Sequence, residues 1–438
     1  MACGEPPSET SIHFELSESR NRVESTVSRR EAACTLHSGL LPHRPERRER
    51  CYDPRPYMAF RLGFVMEQTL GQVTHTQNFQ RWVERDHDVI PTWIPIPYEA
   101  QDGWDRAPLI RSNWTVRASL AARARVQRAL RVEQLDGLLF HTQVTALFAH
   151  RLMTKIPTVV SMDATPLNFD TIGRPYHHRP SSSARVETIK NALTRRTFNR
   201  ARRLVIWHRW GKQSLVNDYG TESDKVEVIA PGIDLDRWNF PRSTAPPPRP
   251  VRLLFVGGDF RRKGGETLLG AFGRDLSRDC ELDIVTREKI DVTGLSNVRV
   301  HYGLGPNVPE LLALYARADL FVFPTLADVL PLAIMEAMAS GLPVVTTDVG
   351  AIMEQIDHEV TGLLTTPGDV NSLAEATLRL VKDSELRCTM GAAARRVADE
   401  RFNGSRNYPQ LLAVCKRCVD EAARPLRAFR EDGRPGFN

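Results

Sequence analysis

The 438-residue sequence predicts an α/β protein made of two doubly wound parallel sheets. Two observations carry that prediction. Short apolar runs alternate with helix-period stretches along most of the chain, the pattern of βαβ units whose strands are covered on both faces. A Pro-rich break at 241–250, with three consecutive prolines at 246–248, divides that alternation in two. The two parts read as Rossmann-like domains, with substrate expected in the cleft outside their strand ends.

Taken in order, residues 1–57 are rich in Ser, Glu, Arg and Pro and lack periodic apolar positions, so a disordered extension is expected there. The first domain is read over 58–240. Phe60-Arg61-Leu62-Gly63-Phe64-Val65-Met66 reads as its first strand, Gly71 as a loop residue and 73–83 as a helix. Residues 138–140 and 158–162 read as strands around a helix-like stretch at 144–152, with further strands at 204–207 and 226–229. The second domain is read over 251–408, with strands at 252–256, 282–285, 298–301, 320–323 and 344–346. Residues 409–438 are left as a C-terminal helix, packing back on the first domain, and a tail.

Composition narrows the function classes. Apolar residues make up 41%, charged residues 26% and aromatics 7%, which excludes a collagen-like or wholly disordered chain. No apolar run reaches the roughly 18 residues that cross a bilayer. The first thirty residues carry Glu5, Glu9, Glu15 and Glu18 and no apolar core, so they do not read as a secretory signal. A cytoplasmic protein is the expectation. The net charge of +6, from 59 basic and 53 acidic residues, is too small to argue for nucleic acid. It is unevenly placed: between Arg185 and Trp210 eight Lys/Arg stand against Glu187 alone. The segment 185–209 is therefore a candidate for peripheral contact with phosphate groups or an anionic membrane face, the alternative being a solvated helix face. Seven scattered cysteines do not form a disulfide framework, and Cys415 and Cys418 read as ordinary thiols on a helix.

Two stretches could carry chemistry. Phe255-Val256-Gly257-Gly258-Asp259-Phe260-Arg261-Arg262-Lys263-Gly264-Gly265 follows a strand and opens a helix. Glycines there let backbone approach an anion, while a helix start and a cationic side chain stabilise phosphate oxygens. The spacing is neither GxGxxG nor GxxxxGK[ST], so the standard dinucleotide and P-loop readings fail, and a plain Gly turn with exposed basic residues stays open. In 323–345, Asp328 and Glu336 stand eight apart around a helix start, both able to accept hydrogen bonds from sugar or ribose hydroxyls.

VGGDFRRKGG at 256–265, LYARADLFVFPT at 314–325, the Asp328-x7-Glu336 pair, EAMASGLPVV at 336–345 and VTGLLTTPGD at 360–369 together resemble the nucleotide-sugar-dependent retaining glycosyltransferases of family 4, of GT-B fold. The resemblance is strongest over 251–401. It extends more weakly back to about Phe60 through Ile229-Ala230-Pro231-Gly232-Ile233-Asp234. It implies transfer of a sugar from a nucleoside-diphosphate donor to a hydroxyl of a glycan, lipid or small molecule, with retention and with no metal or other cofactor. A donor phosphate oxygen would take the acceptor proton. By the same resemblance, Lys263 would meet the donor diphosphate, Glu336 the ribose, and Asp328 the hydroxyls of the transferred sugar. The backbone of Val329, Leu330, Pro331 and Leu332 would cradle sugar and phosphate, and Leu304 would lie beside the base. Gly257, Gly258 and, from the first domain, Gly71 would approach the diphosphate.

Three positions depart from the family pattern. Gly258 stands where an Arg is common, with Arg262 or Arg261 expected to replace the missing cation. Asp328 stands for a Glu and is one methylene shorter. Asp163 falls where many relatives have a His near the sugar, and is read with Asp328 and Lys263 as part of the catalytic set. These departures motivate two alternatives: a non-catalytic nucleotide- or glycan-binding protein, and a nucleotide-sugar epimerase of the same shape. Asp86-His87-Asp88 and Asp234-Leu235-Asp236 match a DxD spelling without metal-site context. His141 is expected to be structural, and His177-His178 to lie in a loop. Gln77, Trp93, Trp104, Trp114 and the segment 163–176 are candidates for reading the acceptor, with core packing the alternative for the aromatics.

Overall fold

A computed structural model of the chain describes residues 59–69, 71–99, 113–176, 183–242 and 250–431, with side chains to 423. The extension at 1–57, most of the Pro-rich break, Trp104 and His177-His178 lie outside the described residues.

The first sheet contains β1 (Phe60–Gln68), β2 (Val89–Pro97), β3 (Gly137–His141), β4 (Thr158–Met162), β5 (Arg203–Ile206) and β6 (Val226–Val228), in the order β2-β1-β3-β4-β5-β6. The second contains β7 (Val251–Val256), β8 (Cys280–Thr286), β9 (Val298–Tyr302), β10 (Leu320–Phe323), β11 (Val344–Thr347) and β12 (Gly362–Thr365), in the order β12-β11-β10-β7-β8-β9. Every pairing is parallel. The central strands β3, β4 and β10 are buried at every position, which is why they read from sequence as unbroken apolar runs.

Several elements differ from the sequence reading. β2 reads Val-Ile-Pro-Thr-Trp-Ile-Pro-Ile-Pro; its prolines hide it, and they are tolerated because it is an edge strand. β12 is a four-residue edge strand opening on Gly362. The Arg-rich stretch after residue 112 forms a helix, Trp114–Val132, whose start is capped by Asn113 Oδ1 accepting from the Val116 amide at 3.2 Å. The helix-like 144–152 divides into Gln143–Ala146 and His150–Met153.

The last helix, Gly404–Glu431, begins earlier than 409. Its Tyr408, Leu411, Leu412, Cys415 and Cys418 share one apolar cluster with Phe64, Phe79, Leu139, Val159 and Val205 of the first sheet and its flanking helix. Burial pushes the Cys418 thiol up to about 12, so both thiols of that pair are packing groups. Lys416 on this helix reaches Asp86 at 2.8 Å and Asp88 at 3.4 Å, which occupies the first DxD spelling with an ion pair. In the second, the Asp234 carbonyl accepts the Arg237 and Trp238 amides, each at 3.1 Å, in a turn. Among the described residues no helix is long and apolar enough to cross a membrane.

In each sheet the strand order reverses beside the first strand. β1 lies between β2 and β3, and β7 lies between β8 and β10. Those reversals are where a doubly wound sheet opens a crevice at its carboxyl ends.

Candidate functional site

At the end of β7, two consecutive glycines make room for two cations. A side chain on Gly257 would meet Lys263 Cβ and Cγ at 3.0 Å, and one on Gly258 would meet the Arg287 guanidinium, with Nε at 2.7 Å. Lys263 leads into Gly264, which sits at φ +78°, and a Cβ there would run into the Pro324 carbonyl just past β10. That close approach brings the turn against the 324–328 loop. There Lys263 Nζ donates to Asp328 Oδ2, with the ammonium 5.2 Å above the Phe323 ring. Burial lowers the Lys263 pKa, opposed by the Asp328 charge.

Arg262 is placed differently from its neighbour. Its side chain is 4% exposed, with Nε on Asp259 Oδ2 at 2.8 Å and Nη1 on the Ala327 carbonyl at 2.8 Å. Arg261 is on the surface, paired with Glu266 at 3.0 Å. Both arginines expected to replace a cation at position 258 therefore already have carboxylate partners.

Val329 and Leu330 are buried, as is Leu332, which opens the apolar helix Leu332–Ala339 behind its N-cap Pro331. Glu336 is the charged residue of that helix. It is buried, and its Oε2 accepts the Tyr315 hydroxyl at 3.1 Å. Burial raises its pKa from 4.5 to about 7, the Tyr315 hydroxyl opposing. A carboxyl whose folded pKa lies above its unfolded value holds an extra proton between the two, so stability falls as pH rises through roughly 4.5 to 7. Glu336→Gln removes that loss. The variant is expected to gain stability relative to the parent between pH 5 and pH 8, by up to about 3 kcal/mol. Urea unfolding at the two pH values measures it, and an equal difference at both would contradict it. Leu304 follows Gly303 after β9 and packs, partly buried, against the second core.

On the other side, Asp163 follows β4. Its Oδ2 accepts Gln72 Nε2 at 2.9 Å and its Oδ1 accepts the Ala164 amide at 2.9 Å. Gln72 Oε1 meets His141 Nε2 at 2.7 Å. Burial, and then the Glu67 carboxylate, push Asp163 up to about 6. Glu67 itself accepts from Thr69 and Thr142 hydroxyls, each at 2.5 Å. His208 Nδ1 accepts the Gly211 amide at 2.9 Å, so Nε2 carries the proton donated to the Asp163 carbonyl at 2.5 Å. His141 is fully buried, packed against His75 and Trp207, and burial lowers it to about 3. It is a neutral structural group.

Sequence reasoning missed Glu67, Gln72, His75, His208 and Arg287. Trp93 stacks on Phe64 at 4.7 Å in the core, while Trp114 packs against Tyr98 at 5.1 Å and Gln77 is exposed.

Tyr176 joins the two sides. Its ring lies 4.1 Å below the Arg262 guanidinium. Burial, then Asp328, with Asp163 contributing, hold its hydroxyl well above the usual range. Asp163 from one domain and Asp328 from the other thus act on one tyrosine. Nearby, Glu354 accepts the Arg209 and Trp210 amides, each at 2.8 Å, bridging the halves.

Gly71 caps the helix Gln72–Val83 at φ −67°, and a Cβ there would meet nothing within 4 Å. The fold itself does not require a glycine at this position. Gly71→Leu is expected to melt within about 2 °C of the parent, since open surface sites tolerate substitution. If the space is kept for a ligand, the variant loses at least tenfold in nucleotide affinity. Unchanged affinity in a titration would contradict that role.

Residues 250–383 match the family described as glycosyl transferases group 1, and residues 70–237 that described as glycosyltransferase family 4. A D-inositol 3-phosphate glycosyltransferase of Pseudarthrobacter chlorophenolicus is 32% identical over 199 residues, 41% of this chain and 47% of that protein. The chain spans about half the length of the curated relatives it matches. Sucrose-phosphate synthase from Thermosynechococcus elongatus superposes with a TM-score of 0.64 at 16% identity, over 83% of this chain and 100% of that one. Anabaena HepE, solved with UDP and glucose, superposes with a TM-score of 0.59 at 16% identity, over 81% of this chain and 98% of that one. At such identities the superpositions speak for the fold alone. The two parallel six-stranded sheets form a GT-B fold, as the motifs implied.

Proposed function

The chain belongs to the group 1, family 4 glycosyltransferases, and from that premise we propose that it moves a sugar from a nucleoside-diphosphate donor to a hydroxyl acceptor with retention of anomeric configuration. The observation that supports this best is the Gly257-Gly258 pair at the strand-order reversal, where Gly257 lies under Lys263 and the Lys263 ammonium reaches Asp328. A diphosphate seated over those glycines would draw Lys263 away from Asp328. The ammonium then stabilises charge building on the leaving phosphate. Asp328, released from its partner, is free to accept a hydroxyl of the transferred sugar, and Asp163 does so from the opposite side. With a pKa of about 6, Asp163 is mostly ionised above neutral pH and can also stabilise positive charge on the ring. The acceptor proton goes to a donor phosphate oxygen on the same face. Tyr176 and the Glu354 bridge hold the halves together around the reacting atoms and limit access of water. The diphosphate charge is met by side-chain cations, without a metal ion.

For the acceptor, the helix Ala184–Arg200 exposes Arg185, Arg196 and Arg200 beside Val186 and Ile189, 44% and 67% exposed. That combination supports a phosphate-bearing or lipid-linked hydroxyl met at an anionic membrane face. The full chain is to be incubated with UDP-, GDP- and ADP-sugars, with nucleotide release and product anomers followed by NMR. Release with a retained anomer supports the proposal, and an inverted anomer overturns retention. Sugar interconversion without an acceptor would favour an epimerase. Tight nucleotide binding with no release from any acceptor pair would favour a binding protein.

A further inference from the structure

We propose that Arg287, at the end of β8, is the second cation for the donor diphosphate, and that Gly258 is a glycine in order to let it lie there. The proposal rests on the diphosphate-binding reading above. Four basic side chains surround the β7 turn, and three have carboxylate partners. Arg261 pairs with Glu266, Arg262 with Asp259, and Lys263 with Asp328. Arg287 is exposed and has no ion-pair partner among the described residues.

Its backbone is tied to the same turn, the Arg287 amide donating to the Gly258 carbonyl at 3.4 Å. Its guanidinium lies across the Gly258 Cα, Nε, Nη2 and Cζ falling 2.7, 3.1 and 3.2 Å from where a Cβ would stand. Gly257 is covered by the Cβ and Cγ of Lys263, whose ammonium reaches on to Asp328. Two adjacent glycines, one under the Arg287 guanidinium and one under the methylene stem of Lys263, make a floor of backbone between two basic side chains. A diphosphate carries two charged phosphates and would span such a floor. A planar guanidinium can take a phosphate through two parallel N–H donors. The Thr286-Arg287 position carries no glycine or phosphate signature in the sequence, so the role is visible only once β7 and β8 are paired.

The test is isothermal titration of the full chain, as parent, Arg287→Ala and Arg287→Lys, with UDP, GDP and ADP and with the parent nucleosides as competitors. The expected result is a loss of about tenfold to a hundredfold in affinity for the bound diphosphate in Arg287→Ala. The loss should be smaller in Arg287→Lys, and the nucleoside affinity and unliganded melting temperature unchanged. Diphosphate affinity within twofold of the parent in Arg287→Ala would overturn the assignment. So would an equal loss for the nucleoside, because the contact would then be to the base. A parent chain that binds no nucleoside diphosphate overturns the underlying reading instead, which keeps the two failures apart.

Discussion

Lys263→Ala is expected to lower turnover about 10²–10³-fold, the scale seen when one preorganised group facing developing charge is removed. The ammonium is nearly enclosed, with a side chain 16% exposed against Asp328 at 10%. In that setting its field is weakly screened. Because its partner is Asp328, the alanine variant also leaves a carboxylate whose next cation is Arg262, 4.0 Å away. Some loss of donor affinity should therefore accompany the loss of turnover. Steady-state kinetics on an active donor separates the two. A change in turnover of less than threefold would remove Lys263 from the reaction.

The second large effect is structural. Gly264→Ala is expected to cost about 2–5 kcal/mol of stability. A left-handed backbone at φ +78° costs an alanine about 1–2 kcal/mol, and displacing the Pro324 carbonyl from the added methyl adds roughly 1–3 kcal/mol. The damage falls on the contact that sets Lys263 against the 324–328 loop, so nucleotide affinity should fall with stability. Urea unfolding measures the first and titration the second. A variant within about 0.5 kcal/mol of the parent would mean that this turn relaxes freely.

Much of the fold was legible because buried parallel strands advertise themselves. Leu320–Phe323 is Leu-Phe-Val-Phe, and no solvent face interrupts it. β2 escaped notice because its prolines look like a loop until the strand is seen to lie at an edge. The second-domain side of the site was legible for a different reason: glycines and a lysine packed into eleven residues leave few structural explanations. On the first-domain side the family resemblance pointed to Gly71 and Asp163, but not to the residues that hold Asp163. Gln72 joins Asp163 and His141, which are 91 and 69 residues away, and no local pattern encodes such a bridge. Glu67 ends an apolar strand and looks like a solvated charge, yet its carboxylate is closed in by Thr69 and Thr142. Arg287 carries no motif in the sequence, and only the β7–β8 register brings it over Gly258.

Titration of the full chain with UDP, GDP and ADP, alongside Lys263→Ala, tests most directly whether the Gly257-Gly258 floor is a diphosphate site. At least one of the three is expected to bind saturably to the parent and at least tenfold more weakly to Lys263→Ala. At about 100 times its Kd the same nucleotide should add roughly 2.7 kcal/mol to the folded state, visible as a shift in melting temperature. Saturable binding of none of them, or binding indifferent to Lys263, would contradict a nucleoside-diphosphate site in this cleft.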